Sequence, residues 1–356
     1  MSVIKKDSEI LSQDFENLVN SNLNIDKLKN STVLITGATG LIGSLLVKLL
    51  NRYNIVKQTN IKIIACVRNE EKAKIVFEQI INDENLIIKL NDINNPIEMD
   101  IDIDYIIHAA SATSSKYFVT NPVETILTAI NGTNNILKFA KEKEVKGFIY
   151  LSSLEVYGTP NTTEFLDENQ YGYIDPLSTR SSYSEGKRMV ECLCVSYANE
   201  YNLPVTIARL SQTFGAGVDY NDGRVFAEFA RCAIEKRDIV LKTEGKTVRS
   251  YCYSTDALSA ILIILQNGES GNAYNVTNMD TVISIKDMAQ LVCDTFKSSN
   301  IKVKIDIPSD IASFGFNPEM IIKLDSTKLL NLGWTPIVTL QEMFIRLVNS
   351  MKENKD

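Results

Sequence analysis

A single histidine, His108, stands in 356 residues, beside one tryptophan and eight prolines. With one imidazole the chain cannot build a multi-histidine metal centre, and only that ring could serve a Ser-His-Asp triad, so metal-dependent and triad chemistry are both disfavoured. The six cysteines are scattered, with no C-x-x-C pair, which argues against a zinc site or a disulfide framework and for a reducing, cytoplasmic setting. No apolar run approaches the roughly 20 residues that span a bilayer, and the opening MSVIKKDSEILSQDFENLVN is too charged to read as a signal peptide. Basic residues are also short: 37 Lys and Arg against 44 Asp and Glu leave a net charge of −7. Neither a nucleic acid nor an anionic membrane surface is an expected partner, since each requires a basic face.

What is present is a rhythm. TVLITG, IKIIACVR, LIIKLNDI, IDYIIHAAS, KGFIYLSS and LPVTIARL read as strands. Between them LIGSLLVKLLNRY, NEEKAKIVFEQIIN, PVETILTAINGTNNILKFAKEK and the segment 183–201 carry helical spacing of apolar residues. Strands alternating with helices predict an α/β fold, a Rossmann-type doubly wound parallel sheet covered on both faces. The expected division is an N-terminal helical arm over 1–30, a dinucleotide-binding domain over 31–211 and a smaller C-terminal substrate-binding lobe over 212–356, some segments of which return to the core. Ligands of open α/β sheets bind at the carboxyl ends of the strands, so a cleft between the lobes is the expected site.

The chemistry begins at TGATGLIG, where Gly37, Gly40 and Gly43 separate the first strand from the first helix. Such a turn needs glycine's torsional freedom, a diphosphate needs close backbone approach, and a helix N-terminus offers unsatisfied N–H groups to anions. The pattern predicts dinucleotide binding, with Leu41 and Ile42 in the same turn. The second strand ends at Arg68, where an NAD-selective protein would present an acid to the ribose 2′-hydroxyl; Arg68 would suit the 2′-phosphate of NADP, which favours NADP over NAD unless the arginine is merely solvated. Asp92 and Ile93 end the third strand and could meet the adenine, although Asp92 also suits a turn. Ala109, Ala110 and Ser111 are small enough to let the cofactor approach, or to pack the sheet tightly.

SSYSEGK places Tyr183 and Lys187 on one helix face, where an ammonium can favour tyrosinate. The same spacing occurs on solvated helices, but YLSSLEVYG supplies Ser153 at the end of a buried strand. Together the three suit hydride transfer: Ser153 orients a substrate oxygen, Tyr183 exchanges its proton, and Lys187 tunes the phenol and holds the nicotinamide ribose.

With TGATGLIG, IIHAAS, YLSSLEVYG, YSEGK, ARLSQTFGAG and LGWTP in place, the chain resembles the extended short-chain dehydrogenase/reductase family, in particular enzymes that remodel nucleotide-activated sugars. Its pattern is most similar to that of UDP-glucuronate decarboxylase-like enzymes. The resemblance implies NAD or NADP as cofactor, a nucleotide-sugar substrate and a homodimer that includes the tyrosine helix. It further implies a proton-handling Glu155 and substrate contacts at Thr113, Ser114, Gln212, Arg224 and Arg249. Arg224 and Arg249 could instead form surface salt bridges. Leu154 stands where dehydratases of the family carry an acid, which speaks against 4,6-dehydration. The expected activity is epimerisation or decarboxylation through a keto sugar, in surface polysaccharide precursor synthesis. The alternatives are an NADPH-dependent reductase of a CDP- or UDP-linked keto sugar and a non-catalytic cofactor sensor.

Overall fold

Seven parallel strands form the main sheet: β1 (Thr32–Thr36), β2 (Lys62–Val67), β3 (Leu86–Leu90), β4 (Tyr105–His108), β5 (Gly147–Ser153), β6 (Val205–Leu210) and β7 (Ala273–Val276). Their spatial order is 3-2-1-4-5-6-7. The order reverses between β1 and β4, so the helices that follow these two strands leave on opposite faces and open a crevice at their carboxyl ends. The computed structural model describes residues 7–111, 115–308 and 319–354.

The near-continuous apolar runs of these strands follow from burial on both sides. On one face Val33, Ile35 and Ile63 pack with the helices Leu41–Lys57 and Ser254–Asn267. On the other, Leu34, Ile64, Ile106 and Phe148 pack with Thr133–Glu142 and Ser182–Tyr201. Two helical segments depart from the sequence pattern. The helix expected over 69–82 stops at Val76, and the chain continues as turns through Ile80 N–H to Phe77 O and Asp83 N–H to Ile80 O. Asp83 then caps Asn85 N–H and accepts from Asn51, which turns the backbone into β3. The long helix expected after Pro122 contains a widened π segment, Thr128–Gly132. A Cβ at Gly132 would lie 2.7 Å from the Ile93 side chain, and the next residue, Thr133, meets the ring of His108.

A second sheet runs Asn278–Ser284, Val248–Tyr253, Ile321–Leu324 and Phe165–Leu166, with Gln212–Phe214 paired to Val248–Tyr253. Behind it the helices Val225–Glu235, Ile285–Thr295 and Leu340–Glu353 enclose a separate core around Phe214, Phe226 and Phe344. The N-terminal helix Glu9–Val19 bridges the two cores. Its Leu11, Phe15 and Val19 join the core beside the main sheet, while Asp14 accepts from Tyr253 at 2.5 Å and pairs with Arg346 at 2.6 Å.

Candidate active site

The crevice between β1 and β4 is built for close backbone approach. Gly37 has φ +63°, and a Cβ there would sit 2.7 Å from Ala110 Cα; at Gly43 a Cβ would sit 2.4 Å from Gly37 O. Gly40 caps the helix that starts at Leu41, and Leu41 and Ile42 turn partly inward against the core. Ala110 N–H donates to Thr36 Oγ1, tying the end of β4 to the end of β1. The exposed N–H groups of this helix start, with side chains excluded from the turn, fit a dinucleotide diphosphate. Arg68 is exposed just past β2. Ala109 and Ser111 are partly buried at the end of β4. Asp92 accepts from Asn94 N–H at 3.0 Å, the turn role open to it, and Ile93 packs in the core beneath.

Across the sheet, the end of β5 meets the helix Ser182–Tyr201. Ser153 lies beside Tyr183, whose phenol is pushed up by burial and by the charge of Glu155 and drawn back by Ser153 and Arg180. Lys187 is almost fully buried; its ammonium donates to Leu151 O at 2.8 Å and lies 5.7 Å from the Tyr183 ring centre. Burial lowers its pKa to about 8, against the opposing pull of Glu191. The sequence-predicted trio is therefore assembled, with the ammonium anchored on a strand carbonyl. Phe118, from the helix Ser115–Thr120, stacks on Tyr183 at 4.2 Å and 11°.

Glu155 also reaches this cluster. Its Oε1 accepts from Arg180 Nη2 at 2.8 Å and its Oε2 from the Ser184 hydroxyl at 3.0 Å. Leu154 turns the opposite way, into an apolar cluster with Val156, Leu166 and Leu324, so nothing between Ser153 and Glu155 offers a second proton donor. Arg249, on the central strand of the second sheet, is 9% exposed and faces Glu155. Its Nη2 contacts the Met320 sulfur at 2.8 Å, and its buried Nη1 has no hydrogen-bond partner among the described residues. Burial lowers the guanidinium pKa, and Glu155 opposes that shift.

Other expected contacts are placed differently. Gln212 is partly buried and pairs with Tyr251 across the second sheet. Arg224 is clamped by Asp222, two residues away, at 2.6 Å, the salt bridge that its sequence position also allowed. Thr113 and Ser114 lie outside the described residues. Sequence reasoning passed over Arg180, Ser184 and Phe118. Arg180 and Ser184 flank Tyr183 in the sequence, and their contact with Glu155 appears only once β5 lies beside the helix.

The family model for the NAD dependent epimerase/dehydratase family matches residues 33–277. UDP-glucuronic acid decarboxylase 1 of Danio rerio is 30% identical over 87% of this chain and 70% of its own length. UDP-glucuronic acid decarboxylase 5 of Arabidopsis thaliana is 29% identical over 88% of this chain and 87% of its own. Among solved structures, the UDP-glucuronic acid 4-epimerase of Bacillus cereus, in complex with UDP-glucuronic acid and NAD, superposes with a TM-score of 0.74 at 19% identity, covering 90% of this chain and 99% of that one. The dTDP-glucose 4,6-dehydratase of Bacillus anthracis, in complex with NAD, gives 0.74 at 20% identity, covering 91% and 97%. With its glycine crevice and Ser-Tyr-Lys cluster, the chain belongs to the NAD dependent epimerase/dehydratase family, as an enzyme of the extended short-chain dehydrogenase/reductase type.

Proposed function

We propose that this enzyme oxidises and re-reduces a nucleotide-linked hexuronate, acting as an epimerase or decarboxylase through a 4-keto intermediate. The observation that carries this is Arg249. A buried guanidinium with an unpartnered N–H is costly unless an anion completes it. Its neighbour Glu155 lies at the sugar-processing end of the cleft, beside Tyr183, so the fitting anion is a carboxylate on the sugar ring itself. The UDP-glucuronic acid in the names of the relatives agrees with that choice.

In this reading Ser153 orients the substrate 4-hydroxyl and Tyr183 takes its proton. Lys187, anchored on Leu151 O, holds its charge near the phenol. A bound nicotinamide dinucleotide would supply the hydride acceptor, and later the donor. Arg249 fixes the carboxylate and so the ring. Decarboxylation sends the electron pair of the breaking bond from C5 toward the ketone oxygen, where Tyr183 and Ser153 stabilise the developing charge; Glu155 handles the proton that C5 then gains. Epimerisation instead turns the ketone over before reduction and leaves the carboxylate in place.

An exposed Arg68 in place of an acid supports NADP over NAD and keeps the keto-sugar reductase as the second reading. Val123, Ile126 and Leu127 on Pro122–Leu127 and Met189 on the adjacent tyrosine helix expose apolar side chains, which supports a homodimer through these helices. Supply of surface polysaccharide precursors rests on the family resemblance. The test is incubation with UDP-, CDP-, GDP- and dTDP-linked uronates and their neutral hexose counterparts, following product mass and nicotinamide absorbance together. The expected result is turnover of a uronate without net cofactor consumption, with loss of carbon dioxide marking a decarboxylase. Preference for a neutral hexose would overturn the uronate assignment; net consumption of NADPH would establish the reductase.

A further inference from the structure

Four of the five residues from Arg180 to Ser184 grip the two groups that flank the phenol. Arg180 and Ser184 hold the Glu155 carboxylate from its two oxygens, at 2.8 Å and 3.0 Å. Ser182 Oγ donates to Phe118 O at 3.1 Å, and Tyr183 stacks on the Phe118 ring. Arg180 also lies over the outer part of this stack, its guanidinium carbon 5.2 Å from the Phe118 ring centre. One short turn thus locks a carboxylate and the catalytic phenol into a fixed relation.

That arrangement carries an electrostatic conflict. Hydride transfer uses Tyr183 as a proton acceptor, which requires phenolate, while an ionised Glu155 next to it disfavours a second negative charge in a poorly solvated cleft. We infer that Arg180 is a positioning residue that offsets the charge of Glu155 and so allows a carboxylate and a phenolate to share one cleft. The inference rests on the hydride-transfer reading above and adds a division of labour between two arginines. Arg249 faces Glu155 from the second sheet, but a substrate carboxylate engages it, leaving Arg180 as the counter-ion that stays with Glu155 throughout the cycle. The electrostatic directions agree: the Glu155 charge raises the Tyr183 phenol and the Arg180 charge lowers it. Among the described residues, the other titratable groups facing this pair are Tyr150 on β5, which senses Tyr183, and Lys187 one turn further along the helix, itself faced by His108 on β4, by Glu191 and by Cys194.

The test is an ultraviolet titration of the NAD-loaded protein, with Tyr183→Phe subtracted so that only the Tyr183 phenolate is followed; no substrate is required. Arg180→Gln should raise the midpoint by about one pH unit, and adding Glu155→Gln should return it toward the wild-type value. In the presence of UDP-glucuronate the same variants should show the matching pattern. Single-turnover reduction of bound NAD at neutral pH should be about tenfold slower in Arg180→Gln, regained on raising the pH, and restored in the double variant without restoring final product. A purely structural ion pair would not move the midpoint, so a Tyr183 titration indifferent to Arg180→Gln, in a variant that still binds NAD, would overturn the inference and leave the hydride-transfer reading standing. Because burial holds the wild-type phenol up in the described structure, a Tyr183 midpoint that does not fall when NAD binds would overturn both.

Discussion

Two buried arginines, one on each sheet, stand under opposite conditions. Arg209, at the end of β6, is saturated: it forms a two-pronged pair with Glu191, donates to the Tyr157 hydroxyl, Glu168 O and the Tyr171 hydroxyl, and lies 5.1 Å from each of the two tyrosine ring centres. Glu191 in turn accepts from Ser152 at 2.5 Å, so the network joins β5, β6 and the tyrosine helix. Arg249 has a sulfur contact and a donor left unpartnered among the described residues. A buried charge paired with a carboxylate of the protein belongs to the architecture, whereas Arg249, with an unmade hydrogen bond and no ion pair among the described residues, is completed by what enters the cleft.

The largest expected effect separates the two on stability. Arg209→Ala strands Glu191 in the interior and should cost about 3–5 kcal/mol in urea unfolding. Arg249→Met, which removes an unmet desolvation cost, should be at least as stable as wild type. Equal losses in both variants would erase the distinction.

His108 sharpens the comparison from a neutral group. It is held between Thr36 Oγ1 at 2.6 Å and Thr133 Oγ1 at 3.0 Å, and burial with the nearby Lys187 charge lowers its pKa to about 3. Because the folded value lies below the unfolded one of about 6.5, the unfolded chain binds the proton more readily. The stability contributed by this ring is complete above that pH and is lost as pH falls toward 3. As the sole histidine, it offers an unambiguous nuclear magnetic resonance probe: its ring protons should hold constant shifts from about pH 8 to 5, and a midpoint near 6.5 would contradict the sealed environment.

A smaller change is expected at the ligand. Arg249→Met should lower kcat/KM for a nucleotide uronate by about 10- to 100-fold, the scale of one charge-assisted contact, and leave the corresponding neutral hexose unaffected. Uniform loss on both substrates would assign Arg249 to the diphosphate. The smallest effect belongs to Arg68. Exposed as it is, its replacement by Glu should shift the ratio of NADP to NAD affinity several-fold toward NAD, measured by titration of nicotinamide fluorescence.

The strand–helix rhythm and the glycine turn were readable because each rests on local periodicity and local torsion: β1, its glycines and the helix from Leu41 are contiguous in the chain. Tyr183 and Lys187 were readable for the same reason, being one helical turn apart. What escaped was which charges the fold leaves paired and which it leaves open. Arg224 and Arg249 look alike as isolated arginines near loops, yet one is neutralised by an aspartate two positions away and the other emerges from a strand whose neighbours, Ile322 and Ile283, offer no charge. The π segment likewise depends on Ile93 and His108, which lie on other elements.

The Asp14–Arg346 pair, with Ser8 and Ser350 hydrogen-bonded at 2.9 Å beside it, spans 332 residues of chain. A contact of that separation forms only after nearly everything between its ends has been synthesised, and loop closure delays it further. On the ribosome, the sheet around β1 to β6 can collapse while the surface that receives the Glu9–Val19 helix is still incomplete. The joint between the two cores is therefore completed late: Leu11, Phe15 and Val19 can pack beside the sheet early, whereas Asp14 waits for its cation until the helix Leu340–Glu353 emerges.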